Sequence, residues 1–299
     1  MDKRRILYIS ILTLLMAWYG LFFIHKIDLT TADLGRHLKN GELVLDGDFG
    51  ILGKNFYSYT EPEFEVLNHH WGGGVVFFLV EKMSGFGGLA LFYLILSLVV
   101  FWLFFDISQK ESGFWISVLA SALLIPLMAA RTEIRPEIFS YLFIALFFWI
   151  LWRWKNGELG NKWLFLLPIL EIVWVNTHIY FIFGPALIGL FLLKRIKDKK
   201  LWLTMGLTAL ATLLNPFFIK GLLYPFNIFR NYGYRIVENQ SVWFLEKLGV
   251  IGNPNLNLFK IAFAVLVLSF VFTWIKKKFN LIYLILAIVF FGAGLAGYS

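Results

Sequence analysis

Asp33 lies in a polar stretch, residues 26–73, of a chain that is otherwise mostly apolar. The same stretch carries Asp28, Arg36, His37, Asp46, Asp48, His69, His70 and Trp71. A carboxylate at a membrane–water boundary can act as general base on a hydroxyl. The competing reading makes Asp33 the acidic member of a helix cap, since Thr30-x-x-Asp33 fits a capping box. The two readings are compatible. Asp46-Gly47-Asp48, with Asp28 and Asp33, offers oxygen ligands for a divalent cation, but Asp and Gly both favour turns, and a turn is the stronger reading. His69-His70 lacks the i, i+4 spacing of a helical zinc pair, so no metal ligands are assigned.

Arg131-Thr132-Glu133-Ile134-Arg135-Pro136-Glu137 is a charged knot between two apolar segments. Arg131 and Arg135 could clamp a phosphate, because a guanidinium fork matches phosphate oxygens. Pairing with Glu133 and Glu137 competes with that reading. Asn176-Thr177-His178 interrupts an apolar hairpin, where His178 can donate to a phosphate or a hydroxyl, or can simply build a polar turn. Glu171, a carboxylate inside an apolar segment, must be paired or neutral there. Arg230, Tyr232, Tyr234, Arg235 and Glu238 populate a second polar stretch. Asn239-Gln240-Ser241 is a formal glycosylation sequon, a pattern with a high false-positive rate.

The elements that must position these groups are helices in a bilayer. The 299 residues are 59% hydrophobic and 15% charged, and the mean hydropathy is +0.73. A soluble domain does not need so many long apolar runs. The net charge of +8 does not indicate nucleic acid: Lys and Arg cluster between apolar segments as topology signals do, and no nucleic-acid-binding signature is present. The absence of cysteine excludes disulfides, thiolate metal sites and a Cys nucleophile. The apolar run after Lys3-Arg4-Arg5 exceeds a signal-peptide core, so it reads as a retained span.

Apolar segments fall at 6–24, 86–105, 114–130, 138–152, 163–175, 179–193, 201–214, 258–275 and 281–298. The expected fold is therefore all-α: a polytopic transmembrane bundle of about nine spans. The pair at 163–193 reaches only about 46 Å as helix, which is tight for two crossings. Basic runs at Lys3-Arg4-Arg5, Arg153/Lys155/Lys162, Lys194 to Lys200 and Lys276-Lys277-Lys278 then share one side, cytoplasmic by the positive-inside rule, with the N-terminus there and the plasma membrane as location. Long outer loops follow at about 25–73 and 215–257. In the first, a helix is expected over 31–38, with Leu34 and Leu38 on one stripe and Asp33 and His37 on the next. An interfacial helix is expected over 71–83, its first turn loosened by Gly72-Gly73-Gly74.

Taken in order, the motifs are Asp33-Leu34-Gly35-Arg36-His37-Leu38-Lys39-Asn40-Gly41, Asn55-Phe56-Tyr57-Ser58-Tyr59-Thr60, His69-His70-Trp71, Arg135-Pro136-Glu137-Ile138-Phe139-Ser140, Trp174-Val175-Asn176-Thr177-His178 and Leu214-Asn215-Pro216-Phe217. This series resembles the bacterial GT-C glycosyltransferase-like membrane proteins, relatives in fold of the oligosaccharyl and protein mannosyl transferases, over residues 25–245. The resemblance implies a single GT-C-like transmembrane domain over 1–299, a sugar donor carried on a polyprenyl phosphate, and a hydroxyl acceptor of unknown identity. It makes Asp33 the catalytic acid–base residue. Arg131, Arg135, His178, His37, His70, Trp71 and Glu238 are the expected substrate-binding set. No cofactor is implied. The chain departs from the pattern at Asn55, where the family often has Asp, and at His70, where it often has Glu. The family commonly adds further spans and an outward soluble domain, so the chain is expected to be either a fragment, shortened at its C-terminus, or a minimal version. The rival class is a non-catalytic membrane component, a transporter or flippase for lipid-linked glycans or an assembly scaffold; Glu171 and the Asn176–His178 break are the best indications of a transporter. A degenerate transferase retained for binding is a third reading.

Overall fold

A computed structural model of the chain describes residues 2–29, 33–227, 242–247 and 254–296. The described residues are helical, with no strand beyond one isolated bridge between Lys54 and Glu65. Twelve α-helices follow in order: α1 (Lys3–Leu21), α2 (Leu34–Leu45), α3 (Trp71–Ser112), α4 (Phe114–Met128), α5 (Glu137–Lys155), α6 (Leu166–Thr177), α7 (Phe183–Leu192), α8 (Lys199–Ala211), α9 (Phe218–Asn227), α10 (Val242–Lys247), α11 (Pro254–Ile275) and α12 (Leu281–Ala296). Each of the nine apolar segments falls largely within a helix. Among the described residues four helices are long and apolar enough to cross a membrane: α1, α3, α5 and α11. By contrast α6, α7 and α8 hold 12, 10 and 13 residues, short of the ~20 that cross a bilayer unaided.

The chain forms two compact units, Met1–Ser117 with Thr132–Phe229, and Val118–Arg131 with Arg230–Ser299. In the first unit α5 is central. It packs on α3, α6 and α7, and 61% of its apolar window is buried, against 11% for α1. The contact is aromatic and aliphatic: Phe77 stacks on Phe139, Phe143 and Phe147 flank Trp174, and Val100, Leu103 and Ala145 form a buried cluster. At one end of this pair Arg153 bridges Asp106 at 2.6 Å and Glu158 at 2.9 Å and stacks over Trp149. Trp149 also donates to Asp106 at 2.9 Å. In the second unit Lys260 pairs with Glu246 at 2.7 Å and lies over Trp243, tying α11 to α10.

Three local features bear on the sequence reading. First, residues 71–83 and 86–105 lie on either side of non-helical backbone at Gly85, so α3 is two helices end to end, divided where the sequence reading separates them. The break has φ 66°, a conformation that costs glycine nothing. Second, α2 begins at Leu34, so Asp33 occupies the N-cap itself, at φ 55° and with no side-chain cap bond. It is not the third residue of a capping box, and Thr30 lies outside the described residues. Third, the buried stripe of α2 is Leu34, His37, Asn40, Gly41 and Val44. Its i, i+3, i+7, i+10 spacing is a helix face, and it joins His37 to Leu34 on one face rather than to Asp33 on a neighbouring stripe.

Candidate functional site

Main-chain contact sets the positions of the site residues. A Cβ on Gly74 would stand 2.6 Å from the His37 carbonyl, and one on Gly41 would overlap the Gly74 carbonyl. A Cβ on Gly72 would stand 2.6 Å from the Asn176 carbonyl, and one on Gly73 would stand 3.0 Å from that of Thr177. The glycine triplet therefore seats the start of α3 against α2 on one side and against the end of α6 on the other. The expected loosening of its first turn is replaced by packing, because only glycine permits backbones to approach this closely. Trp71 Nε1 donates to Asn176 Oδ1 at 3.2 Å. Asn176 Nδ2 in turn donates to the Ile172 and Leu214 carbonyls, each at 2.8 Å. Trp71 is thus a positioning group as well as a lining one.

Three separate elements consequently deliver four imidazoles to one place. His37 comes from α2, His69 and His70 from the approach to α3, and His178 from the break between α6 and the 3-10 turn Ile179–Ile182. His70 is the hub, with ring centroids 5.5 Å from His37, 3.9 Å from His69 and 4.9 Å from His178. His69 also contacts Tyr224 at 5.0 Å. Beside it lies a cavity of about 20 Å³ walled by Trp71, Val175, Asn215 and Phe217, room for a single water. Ser140 on α5 reaches His178 Nδ1 at 2.7 Å.

Burial holds all four rings uncharged near neutral pH. It lowers His37 and His69 to about 4 and takes His70 and His178 well below the usual range. The rings also repel one another's protons. Arg36 opposes protonation of His37, His69 and His70, and Arg135 opposes that of His37. Both guanidiniums therefore lie within electrostatic reach of the cluster.

Asp33 stands at the edge of this group with its side chain 65% exposed, and its Oδ2 accepts from Arg36 Nη2 at 2.7 Å. So exposed a pair stabilises by less than about 1 kcal/mol, so its presence is not explained by stability. Positive φ is uncommon for a residue other than glycine, although Asp tolerates it better than most. Of the other expected residues, Arg131 belongs to the second compact unit, and Glu238, like Arg230 to Ser241 as a whole, lies outside the described residues. Asp48 caps a 3-10 turn by accepting from Gly50 N–H at 3.1 Å, and Asp46 ends α2. The pair thus sits in a turn. Among the described residues no group of three or more His, Asp or Glu could hold a metal ion. Sequence reasoning left Arg36, Ser140 and Trp174 without a role. Arg36 was legible as the i+3 partner of Asp33, but nothing in the sequence singled out Ser140.

No family model, curated protein or solved structure matches the chain. The site must be read from its own chemistry. It combines an exposed carboxylate that can accept a proton, two guanidiniums that can hold an anion, and a bank of neutral imidazoles that can donate or accept hydrogen bonds. Away from it, Glu171 is fully buried, and neither of its carboxylate oxygens has a hydrogen-bond partner among the described residues. Its carboxylate fills the space left by Gly184 and abuts it.

Proposed function

We propose that the chain is a multi-pass membrane glycosyltransferase of the GT-C type, with about nine spans and a cytoplasmic N-terminus in the plasma membrane, which moves a sugar from a polyprenyl-phosphate carrier to a hydroxyl acceptor on the outer face. The observation that carries this reading is the exposed Asp33–Arg36 pair at the edge of a cluster of uncharged imidazoles, with Arg135 within electrostatic reach of His37. The acceptor oxygen attacks the anomeric carbon as its proton passes to Asp33, and the bond from that carbon to the phosphate oxygen breaks on the opposite side, inverting the centre. The phosphate leaves with the bonding electrons, and its charge is met by Arg135 with His178 as hydrogen-bond donor. His37, His70 and Trp71 line the same place. Arg131 and Glu238 are assigned to substrate on the sequence alone.

The test is transfer of labelled sugar from a panel of polyprenyl-phosphate hexoses by the full chain in lipid nanodiscs. Asp33→Asn is expected to cut the rate by about 10²–10⁴, the usual worth of a general base, while carrier binding survives. Transfer at the wild-type rate by Asp33→Asn would remove the enzyme reading. Glu171 favours the second reading, a transporter or flippase of lipid-linked glycans, since unpaired acids at membrane depth mark transport paths. Movement of the lipid-linked sugar that stops with Glu171→Gln and is indifferent to Asp33→Asn would establish it.

A further inference from the structure

His178 is held by neighbours that define which of its nitrogens carries the proton. Trp174 Nε1 donates to Ser140 Oγ at 2.8 Å. Ser140 Oγ lies 2.7 Å from His178 Nδ1, and the Tyr180 backbone N–H is directed at the same Nδ1 from 3.5 Å. An indole N–H and a backbone N–H can only donate. Because Ser140 accepts from Trp174, its own hydroxyl proton is available for Nδ1. A proton on Nδ1 would also face the Tyr180 amide donor directly. Nδ1 is therefore the lone-pair nitrogen, and the neutral ring carries its proton on Nε2. Trp174 and Ser140 are fully buried and His178 is 3% exposed, so bulk water does not compete for these bonds. On the far side of His70 the polarity is reversed. His69 Nδ1 lies 3.1 Å from the Leu67 carbonyl, which can only accept, so His69 carries its proton on Nδ1 and keeps a lone pair on Nε2.

We propose that Trp174 and Ser140 are positioning residues that fix His178 as the Nε2–H tautomer, and that His178 serves as a neutral hydrogen-bond donor to a phosphate-class oxyanion rather than as a proton acceptor. The ligand half rests on the transferase reading given above. The tautomer half stands without it. A donor of fixed direction suits a group whose charge burial suppresses: it keeps its proton throughout the neutral range and needs no protonation step to hold an anion.

The experiment has two arms, both on the full chain in lipid nanodiscs. In the first, ¹⁵N-histidine NMR without ligand reads the tautomer of each ring, and His178 is assigned by the signal lost in His178→Gln. A single Nε2–H pattern is expected. In Ser140→Ala the Nδ1–H form gains at its expense, and in Trp174→Phe, which keeps most of the bulk and loses the donor, it gains in the same direction. An Nδ1–H pattern in the wild type, or a pattern unmoved in both variants, overturns the assignment. In the second arm a short-chain polyprenyl phosphate is the probe. His178→Gln, whose amide nitrogen falls near the Nε2 position, is expected to bind within about threefold of wild type. His178→Asn, whose amide falls near Nδ1, is expected to lose about tenfold, the scale of one hydrogen bond to a charged group. Wild-type affinity is expected to be level between about pH 6.5 and about pH 8.5, above the range where a buried imidazole titrates. A His178-dependent fall of about tenfold per pH unit would mean an imidazolium and overturn the donor role, as would Gln binding no better than Asn. Absence of probe binding by the wild type would overturn the ligand half together with the transferase reading, leaving the NMR arm to decide the tautomer independently.

Discussion

Gly74→Ala isolates the main-chain contact that assembles the imidazole cluster. The added Cβ would lie 2.6 Å from the His37 carbonyl oxygen, about 0.8 Å inside the 3.4 Å at which ordinary contact begins. The obstructing atom is helix backbone, so it cannot rotate aside, and α2 as a whole must retreat. Gly87 supplies the control. It lies in the same helix beyond the Gly85 break, and a Cβ there meets nothing within 4 Å. Both substitutions gain the same helix propensity, about 1 kcal/mol, so that contribution cancels in the comparison. The difference in unfolding free energy then reads the clash, expected at about 1–3 kcal/mol, the usual cost of overpacking. It is measured by denaturant unfolding of the purified full chain in detergent, followed by tryptophan fluorescence. Histidine NMR should register displacement of His37 from His70 in Gly74→Ala and not in Gly87→Ala. Equal stabilities for the two variants, or a more stable Gly74→Ala, would refute the argument that α2 and α3 meet backbone to backbone.

Further expectations concern pH, an ion-pair network and a connecting amide. His37 and His69 titrate at about 4 when folded and near 6.5 when unfolded. Below pH 6.5 the unfolded chain takes up protons that the folded chain does not. Stability should therefore fall as pH drops from about 6.5 to about 4, by up to about 1.4 kcal/mol per pH unit for each ring, and go on falling below, where burial still keeps protons off His70 and His178; a melting temperature higher at pH 5 than at pH 7.5 would contradict this. Asp106→Ala leaves Arg153 with Glu158 alone and removes the acceptor for Trp149 in a mostly buried network, and should cost about 1.5–3 kcal/mol, the worth of hydrogen bonds to a charged group. Glu65→Ala removes a pair with Lys220 in which both side chains are about two-thirds exposed and should cost less than about 1 kcal/mol, so comparable losses would show that burial does not govern these pairs. Asn176→Asp keeps the acceptor for Trp71 but loses both donors to backbone carbonyls. It should destabilise by at least about 1 kcal/mol, with Trp71 fluorescence reporting the change.

The helices were legible because apolar runs and their polar interruptions are local properties of the sequence. Asn176-Thr177-His178 marked the end of α6, where His178 has extended backbone. The division between the 71–83 stretch and the 86–105 run anticipated the break in α3 at Gly85. The assembly of the site was much less legible, because it depends on contacts between distant residues: His37 and His178 meet through His70 only because glycines at 41, 72, 73 and 74 let three backbones close on one another. The buried face of α2 was legible only in part, for a related reason. The stripe of Leu34 and Leu38 was chosen by hydrophobicity, whereas the face actually buried includes His37, Asn40 and Gly41, residues whose types do not advertise burial. Asp33 was legible as a singular carboxylate, but its left-handed backbone and its bond to Arg36 are decided by where α2 begins. That start lies next to Thr30, Thr31 and Ala32, which are outside the described residues.

The glycine seats separate architecture from chemistry. Because peptide groups rather than side chains hold α2, α3 and α6 at their spacing, the imidazoles are mounted on a frame that they do not themselves build. Exchanging one ring for another polar group should leave the frame in register, so this corner of the bundle can be retuned toward a different bound group one residue at a time. The same construction makes the frame brittle: a single methyl group at a seat forces α3 away from the helix it abuts.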